Sequence, residues 1–155
     1  MTEFYAGQIA YQDLIEPKTL KVGGGEVIAR GQFCTMDSNG YLEVAGTEAG
    51  KPTNFKAGLF VALQKVDNSG GSGGDETCQV ACVRSRVIVK VAGAGITIGM
   101  PVQTANNNNI RVTGAPSTTV PNTVVGTVYE FPGEPDKIAT AAADELVVID
   151  LGIGV

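Results

Sequence analysis

Gly93, Gly95 and Gly99, in the stretch GAGITIGMPVQT (93–104), are the residues of this chain that most suggest a phosphate-cradling loop. Such a loop requires G-x-G-x-x-G where a strand meets a helix, so that backbone N–H groups and the helix N-terminus hold a pyrophosphate. Here one residue too many precedes the third glycine. Pro101, the asparagines at 106–109 and the β-branched Ile110 and Val112 then continue into turns and strands, not a helix. These glycines read as punctuation in a β-fold.

Other candidates weaken in the same way. Asp37-Ser38-Asn39-Gly40 matches the opening letters of a calcium loop, but the later carboxylates do not follow. Between two strand-like runs it reads as a hairpin turn, since Asn-Gly tolerates positive φ at both residues. Cys34, Cys78 and Cys82 are odd in number, which is not a disulfide framework. On one strand face Cys78 and Cys82 would stand about 13 Å apart, beyond disulfide reach. A zinc site would want a fourth ligand, and the chain contains no histidine. That absence also removes Ser-His-Asp and Cys-His catalysis. The carboxylates Asp37, Glu48, Asp67, Asp75, Glu76, Asp144 and Glu145 are scattered at turns, with no pair whose surroundings suggest a raised pKa. Neither an enzyme nor a cofactor or metal is expected.

The elements that position these residues are strands. The chain has 155 residues and a net charge of -5, enough for one ordinary domain and unsuited to binding nucleic acid or an anionic membrane. It lacks a secretory signal and any apolar run able to span a bilayer, so synthesis in the cytoplasm is expected. Runs rich in Val, Ile and Thr predict strands near 27–36, 41–45, 58–66, 77–91, 98–104, 110–113, 124–131 and 146–151. In the fourth run, Val83, Val87, Val89 and Val91 alternate with Arg84, Arg86 and Lys90, the pattern of a strand with a solvated basic face. A short helix is expected around 136–144. NSGGSGG (68–74) has linker composition and reads as a mobile hairpin tip.

Compared with itself at a gap-free shift of 68, the chain sets Gly25, Ile28, Gly31, Asn39 and Val80 on Gly93, Ile96, Gly99, Asn107 and Val148. The reading is an all-β, sandwich- or barrel-like domain of two related units, 19–87 and 87–155, with little helix, preceded by an extended N-terminal arm, 1–18. GGGEVIARGQF (23–33) then occupies in the first unit the place of AGAGITIGMP in the second. A turn feeding a strand is expected twice; a phosphate loop is not.

GAGITIGMPV, then IRV, then VVGTVYE and DELVVIDLG resemble the capsid decoration, or cement, proteins of tailed bacteriophages. Gly95, Ile96 or Ile98, Gly99, Pro101, Val102, Val125, Gly126 and Val128 carry the resemblance, which covers about residues 90–152 well and 24–66 weakly. It implies a non-catalytic, cofactor-free virion protein, commonly trimeric, that binds the capsid exterior near three-fold positions and bridges major capsid proteins. The expected partners are therefore the major capsid protein and further copies of this chain, with a trimer favoured. The apparent duplication departs from the simplest members and puts that stoichiometry in question. Phe4, Tyr5, Ile9, Tyr11 and Ile15 are the candidate partner-binding residues. Tyr5, Ile9, Tyr11 and Ile15 fall on one face of an extended arm able to add to another chain's sheet, unless the arm is a further strand of its own domain. The alternatives are a head-fibre, tail or adhesin module and, behind them, an all-β nucleotide hydrolase of the dUTP-cleaving kind, whose aspartate motifs are not found.

Overall fold

The computed structural model describes residues 3–11, 16–45, 55, 57–93, 95–105, 111–114, 124–134 and 144–154. It is all-β, and no helix occurs among the described residues. The helix expected at 136–144 lies outside them except for Asp144, which sits in a turn.

In chain order the strands are β1 (Ile9–Tyr11), β2 (Lys18–Lys21), β3 (Val27–Ile28), β4 (Phe33–Met36), β5 (Leu42–Val44), β6 (Phe60–Ala62), β7 (Val66–Asp67), β8 (Thr77–Ala81), β9 (Arg86–Val91), β10 (Pro101–Thr104), β11 (Arg111–Gly114), β12 (Val124–Glu130) and β13 (Leu146–Gly154). The order β9-β11-β10-β12-β13 returns to β9 through the β13–β9 pairing and closes a five-stranded barrel, with β1 added on β9. A second sheet runs β2-β8-β6-β4-β5. Its two ends meet at a parallel bridge, Val22 to Leu42, beside a hydrogen bond from Gly23 N to the Leu42 carbonyl (2.9 Å). β3 and β7 form a separate small ribbon.

Both sheets thus follow one connectivity, and several backbone contacts recur. Val22 N donates to Glu76 O and Val91 N to Glu145 O; Gly31 N donates to Ala62 O and Gly99 N to Val128 O. A single shift of 68 does not describe the correspondence. Lys21–Thr77 becomes Lys90–Leu146, so β2 and β8 recur 69 positions on. Thr35–Glu43 becomes Gln103–Thr113, offsets of 68 and 70, and Phe33–Val61 becomes Pro101–Thr127, offsets of 68 and 66. The odd offset matters because side chains alternate between faces. It puts Val80, inside its sheet, on Ile149, not on Val148.

The alternation of faces also builds the core. Val22, Cys34, Leu42, Ala62, Cys78 and Val80 fill the first sheet from within. On its other face Phe33, Val61 and Ala81, with Phe55 and Leu59, join the barrel residues Val87, Val89, Val102, Val128, Val147 and Ile149 in one buried apolar cluster. Phe33 and Phe55 meet edge to face, 6.3 Å between ring centres. The equivalent outer face of the barrel is different: Pro101 and Thr127 are exposed, and Arg86 binds Asp150 (2.9 Å) while stacking on Tyr129 (3.9 Å). The covered face of the first sheet is apolar, whereas the open face of the barrel carries Thr127, Arg86 and Asp150 beside Pro101, as expected where an antiparallel sheet leaves one face to solvent.

Three local expectations change. The run 77–91 is two strands in different sheets, because the chain turns at 82–85. Arg84 takes a left-handed conformation (φ 79°), Ser85 N returns to the Cys82 carbonyl (3.0 Å), and Val83 is left 40% exposed. The segment 37–40 does join the paired strands β4 and β5, but positive φ occurs at Gly40 alone. Asp37 Oδ1 sets the turn by accepting the N–H groups of Asn39 (2.8 Å) and Tyr41 (2.9 Å). NSGGSGG is neither a hairpin tip nor a loose linker: β7 pairs with β3, β8 pairs with β2 and β6, and the loop is folded around the buried Asn68 side chain.

The three cysteines are free and buried. Desolvation raises all three thiols above their ordinary pKa, most for Cys34, where Cys78 and Glu26 add to it. The native protein is therefore expected to leave all three unlabelled by a thiolate-directed reagent near pH 8, and to release three equivalents on denaturation. Mass spectrometry after alkylation reads the difference.

Candidate functional site

The N-terminal segment runs between the two sheets. Gly7 N donates to the Ile88 carbonyl (2.8 Å), Ile88 N donates to the Gln8 carbonyl (2.9 Å), and β1 continues the pairing with Ile9 opposite Val87. β1 occupies the length of β9 that β11 leaves open, since β11 pairs only at Lys90 and Val91. On its other side Gly7 lies against Gly31 and Ala62 of the first unit, with φ +82° and no room for a Cβ. Only glycine satisfies both conditions, so the sequence at this one position lets the segment pass through the seam.

Of the five candidate residues, Ile9 is half-buried and packs on the core of its own chain. Tyr11 pairs with Arg86 through β1, and Ile15 lies outside the described residues. Phe4 and Tyr5 remain at the surface, Tyr5 41% exposed. The Arg30 guanidinium stacks over the Tyr5 ring at 4.3 Å, and Arg30 Nε donates to the Leu63 carbonyl (3.0 Å). Tyr5 N donates to Gln8 Oε1 (3.3 Å).

Two depressions meet at this place. One, of about 450 Å³, is lined by Phe4, Tyr5, Ala6, Arg30, Lys90, Asp144 and Leu146. The other, of about 490 Å³, is lined by Phe4, Pro132, Glu134, Glu145 and Leu146. Phe4 and Leu146 line both. The Phe4 ring rests on Gly133, where Cε2 lies 2.9 Å from the position a Cβ would take. Asp144, left-handed at φ 65°, is bound to Arg111 Nε (2.7 Å). That hydrogen bond, with the Arg111 charge and then Lys90, holds its carboxyl below the usual range. Among the described lining residues, Arg30 and Lys90 accompany Asp144 in the first depression, and Glu134 and Glu145 line the second.

Sequence reasoning reached Phe4 and Tyr5 but not Arg30, Lys90 or the acidic side. Lys90 carried a signal, grouped with Arg84 and Arg86 as a basic strand face, but the three separate in space: Arg84 on the turn, Arg86 against Tyr129, Lys90 in the seam. One carboxylate with a raised pKa was also missed. Glu43 is shifted up by partial burial and then by Glu26 and Asp37. Its neighbour Glu26 has a structural task, accepting the Val44 N–H at 3.1 Å. No group of His, Cys, Asp or Glu able to hold a metal occurs among the described residues.

No protein-family model matches the chain, and no curated protein matches it.

Proposed function

We propose that this chain is a non-enzymatic virion protein that binds the exterior of a tailed-phage capsid and stabilises it by bridging major capsid proteins. The observation that carries the reading is where the resemblance residues fall. Val102, Val125 and Val128 are buried in the barrel, Pro101 and Gly126 pair within its wall, and Gly99 shapes the turn into β10. They specify a rigid scaffold, which suits a protein whose work is done by its surface. The seam supplies the exposed Tyr5, the half-buried Phe4 and charged groups on that scaffold, the composition of a contact surface.

The test is co-sedimentation of purified protein with preassembled, expanded heads, followed by heating of decorated and bare heads. Saturable binding with a raised disruption temperature is the expected result. Failure to associate with expanded heads that keep full stability without it would end the reading.

A further inference from the structure

We propose that the outward edge of the chain at 17–21, which includes β2, pairs with the same edge of a second copy, antiparallel about a two-fold axis at Thr19. The proposal is independent of the capsid reading. β2 recurs 69 positions on as part of β9, so Thr19 stands where Ile88 does. In the second unit that length of edge holds a strand: Ile88 N donates to the Gln8 carbonyl, and Ile88 O accepts Gly7 N. In the first unit no strand pairs there among the described residues. Pro17, Lys18 and Thr19 are exposed, whereas Ile88 is buried under β1 and the residues before it.

The backbone groups of this edge complement one another. Lys18, Leu20 and Val22 turn theirs towards β8, as when Val22 N donates to the Glu76 carbonyl and Val22 O accepts Gly74 N. Pro17, Thr19 and Lys21 therefore direct theirs outwards. The parallel bridge between Val22 and Leu42 uses the Lys21 carbonyl, beside the bond from Gly23 N to Leu42 O. Among the described residues nothing binds the others: Lys21 N, Thr19 N, Thr19 O and Pro17 O. With Thr19 set opposite Thr19 of the second copy, every one of them finds a partner. The two threonines exchange both bonds, and each Lys21 N donates to the second copy's Pro17 O. Pro17 has no N–H, and the carbonyl it would have met is the one already held by Leu42. Such matching of a patch to itself is what an isologous contact requires. The two-fold pairing uses up the edge, so assembly ends at a dimer. Lys18 limits its strength: the two copies' Lys18 side chains lie diagonally on one face, with β carbons about 7–8 Å apart.

Sedimentation velocity over a concentration series tests this with the full chain. A short strand pairing with little apolar area is expected to have a Kd of about 100 µM. Thr19→Pro removes the outward donor and spares the β2–β8 ladder, because that N–H faces away from β8. It is expected to weaken self-association about tenfold or more, whereas Thr19→Ala, which keeps the donor, changes Kd by less than about threefold. Lys18→Gln removes the diagonal repulsion and is expected to tighten the dimer, as is added salt. If Thr19→Pro melts early, amide exchange of the native chain decides in its place. The Thr19 and Lys21 amides are expected to gain protection as concentration rises through the Kd, while the β12–β13 amides do not change. The proposal is overturned if the native chain stays monomeric at about 1 mM, ten times that Kd. It is also overturned if Thr19→Pro dimerises as the native chain does, if Lys18→Gln weakens the dimer, if the Thr19 and Lys21 amides exchange at one rate across the series, or if assembly continues past the dimer.

Discussion

Asn68→Ala is expected to lower the folding free energy by about 2–3 kcal/mol, combining lost buried hydrogen bonds with a small cavity. Asn68 is 3% exposed, and its Nδ2 donates to the carbonyls of Gly23 (2.9 Å) and Ser72 (3.0 Å), with a longer approach to Val22 (3.4 Å). One amide group thereby ties the 68–74 loop to the segment Val22–Gly23 that follows β2. The backbone completes the tie: Asn68 N donates to Glu26 O, Gly25 N to Asn68 O and Gly74 N to Val22 O. Urea unfolding should show a lower midpoint at unchanged slope, and thermal unfolding a midpoint lower by about 5–10 °C. Asn68→Asp makes a sharper test. It keeps the shape but sets a carboxylate against carbonyl oxygens, so its folded-state pKa rises well above the unfolded value. The variant then binds more protons folded than unfolded, and its stability falls as pH rises through that window and returns on acidification. Equal stability of the native protein and the Asn68→Asp variant near pH 7 would show that the amide does not hold the loop.

Gly7→Ala is expected to release the N-terminal segment at a cost of about 2–4 kcal/mol, the sum of left-handed strain and a clash with backbone that cannot yield. The added Cβ would stand 2.5 Å from Arg30 Cγ, 2.6 Å from Gly31 N and 2.8 Å from Ala62 O. Two of those three atoms belong to the main chain of the first unit, so no rotamer change relieves them. The loss is local, because the barrel closes through β13 without β1. Amide exchange should therefore accelerate most at Ile88, whose N–H loses its Gln8 acceptor, while the β12–β13 amides stay protected. Gly25→Ala is the control: its φ is also +82°, yet nothing lies within 4 Å of its Cβ position, so backbone strain of about 1 kcal/mol is all it adds. Matching losses in the two variants would mean that the close approach at Gly7 contributes nothing.

The fold class was legible because strand periodicity is a local property. Alternating Val87, Val89 and Val91 face one core, and Gly31 and Gly99 mark equivalent turns with φ of 83° and 85°. What escaped depends on pairings between distant residues. β2 (KTLK) is charged and short, and becomes a strand only because β8 supplies its hydrogen bonds. The glycines of 68–74 have the composition of a linker, and only a buried asparagine donor turns them into a fixed loop. The site was half legible for the same reason. Phe4 and Tyr5 announce themselves by type, whereas Arg30, Lys90 and Glu134 come from three segments that share no motif and meet only when the sheets do.

β9 pairs with three strands, β1, β11 and β13, and two of those pairings span long stretches of the chain, back to Ile9 and forward to Asp150. During synthesis β1 leaves the ribosome with nothing to bind, and waits until its partner at 86–88 has emerged. The barrel itself cannot close before Leu146–Asp150 have followed. Loop closure over such distances slows folding towards the millisecond-to-second range of non-local β proteins. β1, which precedes every other described strand, is placed only after β9 has been made, and the seam surface exists only once it has been.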